Sequence, residues 1–190
     1  MNEKGKLLVI SGPSGVGKST VIGRLMKMRG NMEFSVSATT RSPRPGETEG
    51  KDYFFVSRET FDRMVREGEL LEHATFVGNS YGTPKSQVLE RLDQGITVVL
   101  DIEVQGAAQV KAAMPEAVTV FMAPPSMEAL EERLRGRGTE SEEKILGRLE
   151  TARKELALAP NYDYTVVNDD PDVAAEEIRR ILDGEETENN

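Results

Sequence analysis

The stretch that decides the fold is Leu7–Thr20, LLVISGPSGVGKST. Its first four residues are apolar and predict a buried strand, which ends in a glycine-rich turn. The spacing Gly12-x-x-x-x-Gly17-Lys18-Ser19 is that of a phosphate-binding loop, whose backbone N–H groups surround an anion while the lysine reaches the β- and γ-phosphates. A turn without a ligand is the alternative, and it is disfavoured because the motif stands between a strand and a helix-compatible run. The sequence therefore predicts a nucleoside triphosphate site, with the Ser19 hydroxyl available to Mg²⁺.

The composition is that of a single globular domain. The chain has 190 residues, 37% of them hydrophobic and 30% charged. The absence of cysteine excludes disulfides and thiolate zinc sites. The N-terminal apolar run is too short for a signal peptide and no run reaches membrane-spanning length, so we expect a cytoplasmic protein with no membrane partner.

The net charge of −9 argues against a nucleic-acid-binding surface, which needs a basic face. A triphosphate is itself anionic. Positive charge must therefore be concentrated locally, and the arginines of the chain are the candidates.

The pattern of apolar residues predicts alternating strands and helices. Continuous apolar runs at 97–101 and 118–122 are typical of strands buried in a parallel sheet. Further strands are predicted at 34–38, 53–56, 70–77 and 164–167, and helices at 19–28, 57–67, 84–95, 126–135, 140–159 and 173–182. The segment Asn79–Pro84 is predicted as a tight turn with Thr83 as a helix N-cap, and Thr139 with Glu142 as a capping box. This alternation indicates an α/β fold around a parallel sheet, with a small β-rich insert at about 35–85.

Asp101 ends an apolar strand, where a phosphate-loop protein places a carboxylate that organises Mg²⁺ and its waters. The alternative is a strand-end aspartate that caps the following helix. Glu103 lies two residues on and could face the same cavity, which is a weaker hypothesis.

Two arginines three residues apart, Arg41 and Arg44, lie in a proline-rich loop. With Tyr53 and Tyr81 they form a candidate anion site, because guanidinium groups bind phosphate in bidentate fashion and tyrosine adds neutral donors. A solvated basic loop or a polyproline-like segment is the alternative, and on composition alone it is slightly favoured.

A second basic cluster consists of Arg133, Arg135 and Arg137, with Arg148 further along. The glycines on either side of Arg137 make this segment a candidate hinged lid that carries charge to a transferring phosphoryl group. An exposed helix end with Glu–Arg pairs is the open alternative.

Taken together, the motifs SGPSGVGKST, FSVSATTRSPRPGE, GKDYFFV, YGTPK, LDIEVQGA, APPS, RGRGTES and VVND resemble those of guanylate kinases. The resemblance extends from about Lys6 to Leu182. It implies a three-layer P-loop kinase core over 5–184 with a monophosphate-binding insert at about 35–85 and a helical lid at about 127–157. Residues 185–190 contain nothing apolar to bury and are predicted to form a disordered tail.

The resemblance also implies Mg²⁺-dependent transfer of phosphate from ATP to GMP, as part of purine nucleotide recycling. Around the transferring group it places Lys18, Arg41, Arg137 and Arg148. For ATP it implies Gly12, Pro13, Ser14, Gly15, Val16, Gly17, Lys18, Ser19, Thr20, Arg133, Arg137 and Asn168. For GMP it implies Ser37, Arg41, Arg44, Glu47, Tyr53, Glu72, Tyr81, Thr83, Asp101 and Glu103. For the metal it implies Ser19 and Asp101.

Two other functions remain open at this stage. Scaffold proteins contain guanylate-kinase-like domains that bind phosphopeptides without catalysis, and kinases of similar fold act on other phosphate esters. The intact Lys18, Ser19 and Asp101 disfavour the first, and Glu72 with Thr83 as readers of guanine disfavours the second. Homo-oligomerisation is left open.

Overall fold

The structure, a computed structural model, describes residues 4–185 as an alternation of strands and helices. The strands are β1 (Leu7–Ser11), β2 (Met32–Phe34), β3 (Ala38–Thr39), β4 (Phe54–Phe55), β5 (Leu70–Phe76), β6 (Asn79–Pro84), β7 (Thr97–Asp101), β8 (Val118–Ala123) and β9 (Tyr164–Val167). The helices are α1 (Lys18–Met28), α2 (Arg58–Arg66), α3 (Lys85–Asp93), α4 (Val104–Ala113), α5 (Met127–Gly136), α6 (Glu142–Leu156) and α7 (Pro171–Asp183), and Ala159–Asn161 forms a 3₁₀ turn.

The core is a five-stranded parallel sheet in the order β2-β7-β1-β8-β9. Side chains of β1 alternate between its two faces, as strand geometry requires. Leu8 and Ile10 pack with apolar residues of α1 and α7, whereas Leu7 and Val9 pack with those of α3 and α4. Helices therefore cover both faces of the sheet, and the predicted α/β fold is confirmed.

A second, four-stranded sheet has the order β4-β3-β6-β5, with one parallel and two antiparallel pairings. Its strands lie between residues 38 and 84, within the segment where the sequence predicts a β-rich insert. Helix α2 packs on this sheet, and its Phe61 is buried.

Helices α5 and α6 form a small hydrophobic cluster of their own. Its buried members are Leu130, Leu134, Ile145, Leu149 and Ala152. This cluster is separate from the two that cover the main sheet.

The strand expected at 34–38 is wrong in its extent. β2 ends at Phe34 in the core sheet and β3 begins at Ala38 in the second sheet, so residues 35–37 carry the chain from one sheet to the other. The tight turn expected at Asn79–Pro84 is also wrong, because this segment is strand β6, paired on both sides. The reversal of direction occurs instead at Val77 and Gly78.

Helix boundaries follow the capping signals in part. Ser57 and Ser126 cap α2 and α5 as expected, each accepting a bond from the N–H three residues ahead. Thr83 does not cap α3, whose N-cap is Pro84. The capping box predicted for Thr139 and Glu142 is wrong as well, because Ser141 caps α6, and α6 ends at Leu156 instead of 159.

Of the tail predicted over 185–190, Glu185 is described, and its N–H donates to the carbonyl of Arg180. Residues 186–190 lie outside the described residues. Between residues 4 and 185, no helix is long and apolar enough to cross a membrane.

Asp163 joins the beginnings of β8 and β9 through one carboxylate oxygen. Its Oδ2 accepts from the Lys111 Nζ at 2.8 Å, the Thr119 N–H at 2.9 Å and the Thr119 hydroxyl at 3.0 Å. Asp163→Ala leaves the buried donors of Thr119 unpaired, so we expect the free energy of unfolding to fall by about 2 kcal/mol. Urea denaturation measures this, with the exposed Asp62→Ala as the control that should change little. Equal losses in both variants would contradict the assignment.

Candidate active site

The phosphate-loop residues, 12–17, follow β1 directly and lead into α1. Gly17 is the N-cap of α1 with a φ of 93°, a left-handed conformation that glycine adopts without strain. Gly12 has the backbone carbonyl of Met122 close by, since a Cβ at this position would lie 2.4 Å from that oxygen. The loop therefore requires glycine at both ends, one for conformation and one for space.

Lys18 opens α1 and turns back over the loop, where its Nζ donates to the Gly12 carbonyl at 2.8 Å. Ser19 and Thr20 follow in the first turn and are exposed. The positive end of the helix dipole and the lysine thus act on the same space, which suits an anion.

Two side chains from distant parts of the chain hold the middle of the loop. The Asn168 Nδ2 donates to the Val16 carbonyl at 2.8 Å, and the Arg133 guanidinium donates to the carbonyls of Asn168 at 2.9 Å and Val16 at 3.4 Å. Asn168 is 3% exposed, and its Oδ1 is a buried acceptor without a partner among the described residues. These predicted ATP residues thus support the loop and leave one free acceptor beside it.

The α5–α6 pair contacts the same loop. The Arg148 guanidinium donates to the Ser14 hydroxyl at 2.6 Å and to Glu140 at 2.5 Å. Arg137 is the C-cap of α5 and is exposed. Arg135, in contrast, is bound to Glu131 and Glu142, as the alternative of a helix end with Glu–Arg pairs predicts.

Asp101 lies at the end of β7, in register with Ile10 of β1. The proposal that it caps the next helix is wrong, because the N-cap of α4 is Glu103. Burial raises the pKa of Asp101, and the positive charge of Lys18 partly opposes this. Asp101 is exposed as a residue, and its carboxyl group interacts electrostatically with the lysine of the phosphate loop.

Sequence reasoning missed Glu155, on the exposed-looking side of α6. Burial raises its pKa, while Lys18 lowers it and Glu103 raises it further. Glu155 thus shares the electrostatic environment of the phosphate loop. Its position one residue before Leu156, the last residue of α6, gives no local signal, since charged residues are common on helix surfaces.

Three of the four residues predicted to bind an anion, Arg41, Tyr53 and Tyr81, lie close together at the second sheet. Arg41 forms a bidentate pair with Glu47, at 2.9 Å and 2.8 Å, and its guanidinium carbon lies 5.2 Å from the centre of the Tyr53 ring. Tyr53 and Tyr81 are neighbours, with ring centres 6.1 Å apart. The alternative of a free solvated loop is therefore wrong for Arg41, although the Arg44 side chain is exposed.

Glu47 is what holds Arg41 in place. It also accepts the N–H of Arg44 at 2.7 Å. The hydrogen bonds from Arg41 and then from Arg44 lower the pKa of Glu47 to about 2, so it is ionised at any physiological pH. Ser37 is half-buried at the neighbouring strand, where its carbonyl accepts from the N–H of Phe54.

Glu72 and Thr83 meet on the adjacent strands β5 and β6. The Thr83 hydroxyl donates to Glu72 Oε1 at 2.7 Å, and the two residues are 8% and 1% exposed. Burial raises the pKa of Glu72, although the bond from Thr83 partly opposes this. A carboxylate this enclosed needs further donors.

Known proteins resemble this chain over almost its whole length. The family model described as guanylate kinase matches residues 4–185. A guanylate kinase of Streptococcus thermophilus (strain CNRZ 1066) is 56% identical over 186 residues, which is 97% of this chain and 89% of that protein. A guanylate kinase of Lactococcus lactis subsp. lactis (strain IL1403) is 52% identical over 185 residues, 97% of this chain and 90% of the other.

Among solved structures, the crystal structure of guanylate kinase from Anaplasma phagocytophilum superposes with a TM-score of 0.70 at 39% sequence identity. The match covers 96% of this chain and 87% of that one. Family model, relatives and fold agree over almost the whole length, and the chain belongs to the guanylate kinase family.

Proposed function

We propose that the chain transfers the γ-phosphoryl group of ATP to GMP, giving ADP and GDP. The observation that carries the proposal is Glu72, a buried carboxylate that accepts a hydrogen bond from Thr83 and has capacity for more. Guanine offers two donors on one edge, N1–H and the 2-amino group, and a carboxylate can accept both. Adenine presents a lone pair at N1 to the same position, which an anion repels.

The GMP phosphate would bind at the cluster around Arg41. Its guanidinium donates to Glu47 and to the carbonyl of Ser42 and also bonds to the Tyr81 hydroxyl, so it is held in place beside the two tyrosines. Tyr53 and Tyr81 add hydroxyl donors. Arg44 and Ser37 would complete the site from the same loop and strand, with Glu47 orienting the two arginines.

ATP would bind along residues 12–20, with its phosphates on the loop N–H groups and Lys18. Asn168 supports a position for the adenine beside the loop, because its unpartnered buried Oδ1 can accept from an amino group. Arg133 would act through Asn168 and Val16, which it already contacts.

The transfer itself needs no covalent bond to the protein. A GMP phosphate oxygen attacks the γ-phosphorus of ATP, and the bond to the β,γ-bridging oxygen breaks with its electrons remaining on ADP. Lys18, Arg41, Arg137 and Arg148 would surround the group in flight and compensate the charge on its oxygens.

Mg²⁺ fits the residues present. Between residues 4 and 185 no cluster of three or more acidic or histidine side chains could hold a metal alone. Mg²⁺ in kinases is bound largely by substrate phosphates and water with one or two protein oxygens, which Ser19 and Asp101 can provide. When bound, the ion would neutralise charge on the β- and γ-phosphates.

We further propose that residues 5–184 form the catalytic unit, with 35–85 as the GMP-binding insert and 127–157 as the lid. The separate second sheet and the separate α5–α6 cluster support these divisions. The cytoplasmic location, the absence of nucleic-acid and membrane partners and the open oligomeric state stay predictions from the sequence.

Lys18→Met should lower kcat by about a thousandfold or more while the fold persists, because the ammonium group acts where negative charge develops. Turnover of ATP in the presence of GMP is measured by a coupled assay, and the fold by circular dichroism. Lys27→Met, on the exposed side of the same helix, is the matched control. Near-normal turnover in Lys18→Met would contradict the assignment, and a wild-type chain that consumes no ATP would favour a non-catalytic binding module.

The order of kcat/KM should be GMP, then IMP, then AMP. Hypoxanthine retains N1–H but lacks the 2-amino group, and adenine leaves Glu72 facing an acceptor, which can cost about 10⁴ in discrimination. Glu72→Gln should lower GMP use by more than about tenfold, since one contact becomes a donor clash. Steady-state kinetics on the three monophosphates measure this.

The thermal melt of Glu72→Gln provides the control. Burial raises the pKa of Glu72 above its ordinary value. The free energy of unfolding of the ligand-free chain therefore falls as the pH rises from the ordinary pKa through the raised one, because the buried carboxyl group must ionise. At neutral pH the neutral amide should therefore not lower the Tm. AMP used as well as GMP by the wild type, or an unchanged order in the variant, would refute this account of the base site.

Binding of both substrates should bring the insert and the lid closer together, because water must be excluded from the transferring group. The chain has no native cysteine, so Glu59→Cys on α2 and Lys144→Cys on α6 can be labelled as a donor–acceptor pair. GMP with a non-hydrolysable ATP analogue should raise the transfer efficiency. A pair within the core, Lys27→Cys with Glu116→Cys, should not change. An unchanged insert–lid distance would argue against closure.

A further inference from the structure

The Glu72 carboxylate rests against helix α4, which belongs to the core and not to the second sheet. A Cβ on Gly106 would lie 3.1 Å from Glu72 Oε2 and 3.6 Å from its carboxyl carbon. Gly106 is buried in the first turn of α4. Alanine favours helices more than glycine does, so the helix alone gives no reason for glycine at this position. The space that a side chain at this position would need is taken by the Glu72 carboxylate and by the Ile102 side chain, whose Cδ1 would lie 3.3 Å from the Cβ.

The same helix also holds the backbone next to Glu72. The Gln109 Oε1 accepts the N–H of His73 at 3.0 Å, and the Gln109 Nε2 donates to the carbonyl of His73 at 3.2 Å. β5 is an edge strand of the second sheet, paired with β6 on one side only. The amide of Gln109 therefore replaces a neighbouring strand at His73 and fixes the backbone from which Glu72 projects.

We propose that Gly106 and Gln109 are positioning residues for base specificity. Gly106 leaves space for one oxygen of the Glu72 carboxylate, Gln109 holds its backbone, and Thr83 holds the other oxygen. This inference rests on the proposed function, because it gives the carboxylate the task of recognising guanine. It assigns that recognition to the core helix as well as to the insert.

The consequence is specific to one chemical group of the substrate. GMP and IMP share the phosphate, the ribose and N1–H, and differ in the 2-amino group. A carboxylate displaced by a few tenths of an ångström loses part of its contact with that amino group, while the phosphate contacts stay unchanged. The ratio of kcat/KM for GMP to that for IMP therefore reports the position of Glu72.

Gly106→Ala should lower this ratio about threefold to tenfold, in line with the roughly hundredfold cost of a 1 Å misplacement. The KM for ATP should stay the same. Gly23→Ala is the matched control, because Gly23 also lies within a helix and a Cβ there has no atom within 4 Å. It should leave the ratio unchanged.

Gln109→Leu tests the second contact, and it keeps the inference testable if Gly106→Ala does not fold. It removes both bonds to His73 and should also lower the GMP-to-IMP ratio. Gln105→Leu is its control, since Gln105 lies on the same helix and lines a cavity beside Tyr162 instead. Thermal melts identify which variants are folded.

The outcomes separate cleanly. A ratio that falls in both α4 variants and in neither control supports the inference. Variants that lose stability or raise the KM for GMP and IMP equally, with the ratio unchanged, overturn it, because α4 then has only a structural role. A wild-type chain that does not phosphorylate GMP overturns the proposed function itself, and the inference with it.

Discussion

The structure depends on the shape of the glycine-rich phosphate loop between β1 and α1. The phosphate loop has few bonds of its own, and its shape is held by side chains far away in the sequence. Asn168 bonds to Val16 from 152 residues away, Arg133 from 117, and Arg148 reaches Ser14 across 134. The parallel sheet makes this possible, because the carboxyl ends of β1, β7, β8 and β9 lie along one edge of the sheet.

Sequence reasoning predicted the parts of the fold whose signal is local. The core strands are continuous apolar runs, which predict buried strands. Ser57 and Ser126 are typical helix N-caps, and each side chain accepts one backbone N–H of the helix that follows. Sequence reasoning failed at β6, because the sequence NSYGTP contains small and polar residues that are typical of turns. The segment is a strand since it pairs with β3 on one side and β5 on the other. Sequence reasoning also failed at Thr83 because that hydroxyl is used by Glu72, eleven residues earlier, and not by the helix it precedes.

The candidate site divides in the same way. The phosphate loop could be predicted from spacing alone, whereas the arginine clusters stayed ambiguous until a family resemblance favoured one interpretation. Composition could not tell which arginines are paired with carboxylates, since Arg41 meets Glu47 through the fold of a loop. The contact between Gly106 and Glu72 could not be predicted, because the carboxylate comes from a strand of the other sheet.

In the proposed function, the arginines that would bind phosphate are already paired with carboxylates, whereas the glutamate that would bind guanine is paired with no cation between residues 4 and 185. Arg41 and Arg148 are already paired with Glu47 and Glu140, so a phosphate meets guanidinium groups that are held in place and loses less side-chain entropy on binding. Those carboxylates also compete with the phosphate, which limits the affinity gained. Glu72 is instead a buried carboxyl group with room for more donors, so a matching base offsets the cost of its burial. Since phosphate is common to all nucleotides and the donor edge of guanine is not, selectivity is best concentrated at this carboxylate.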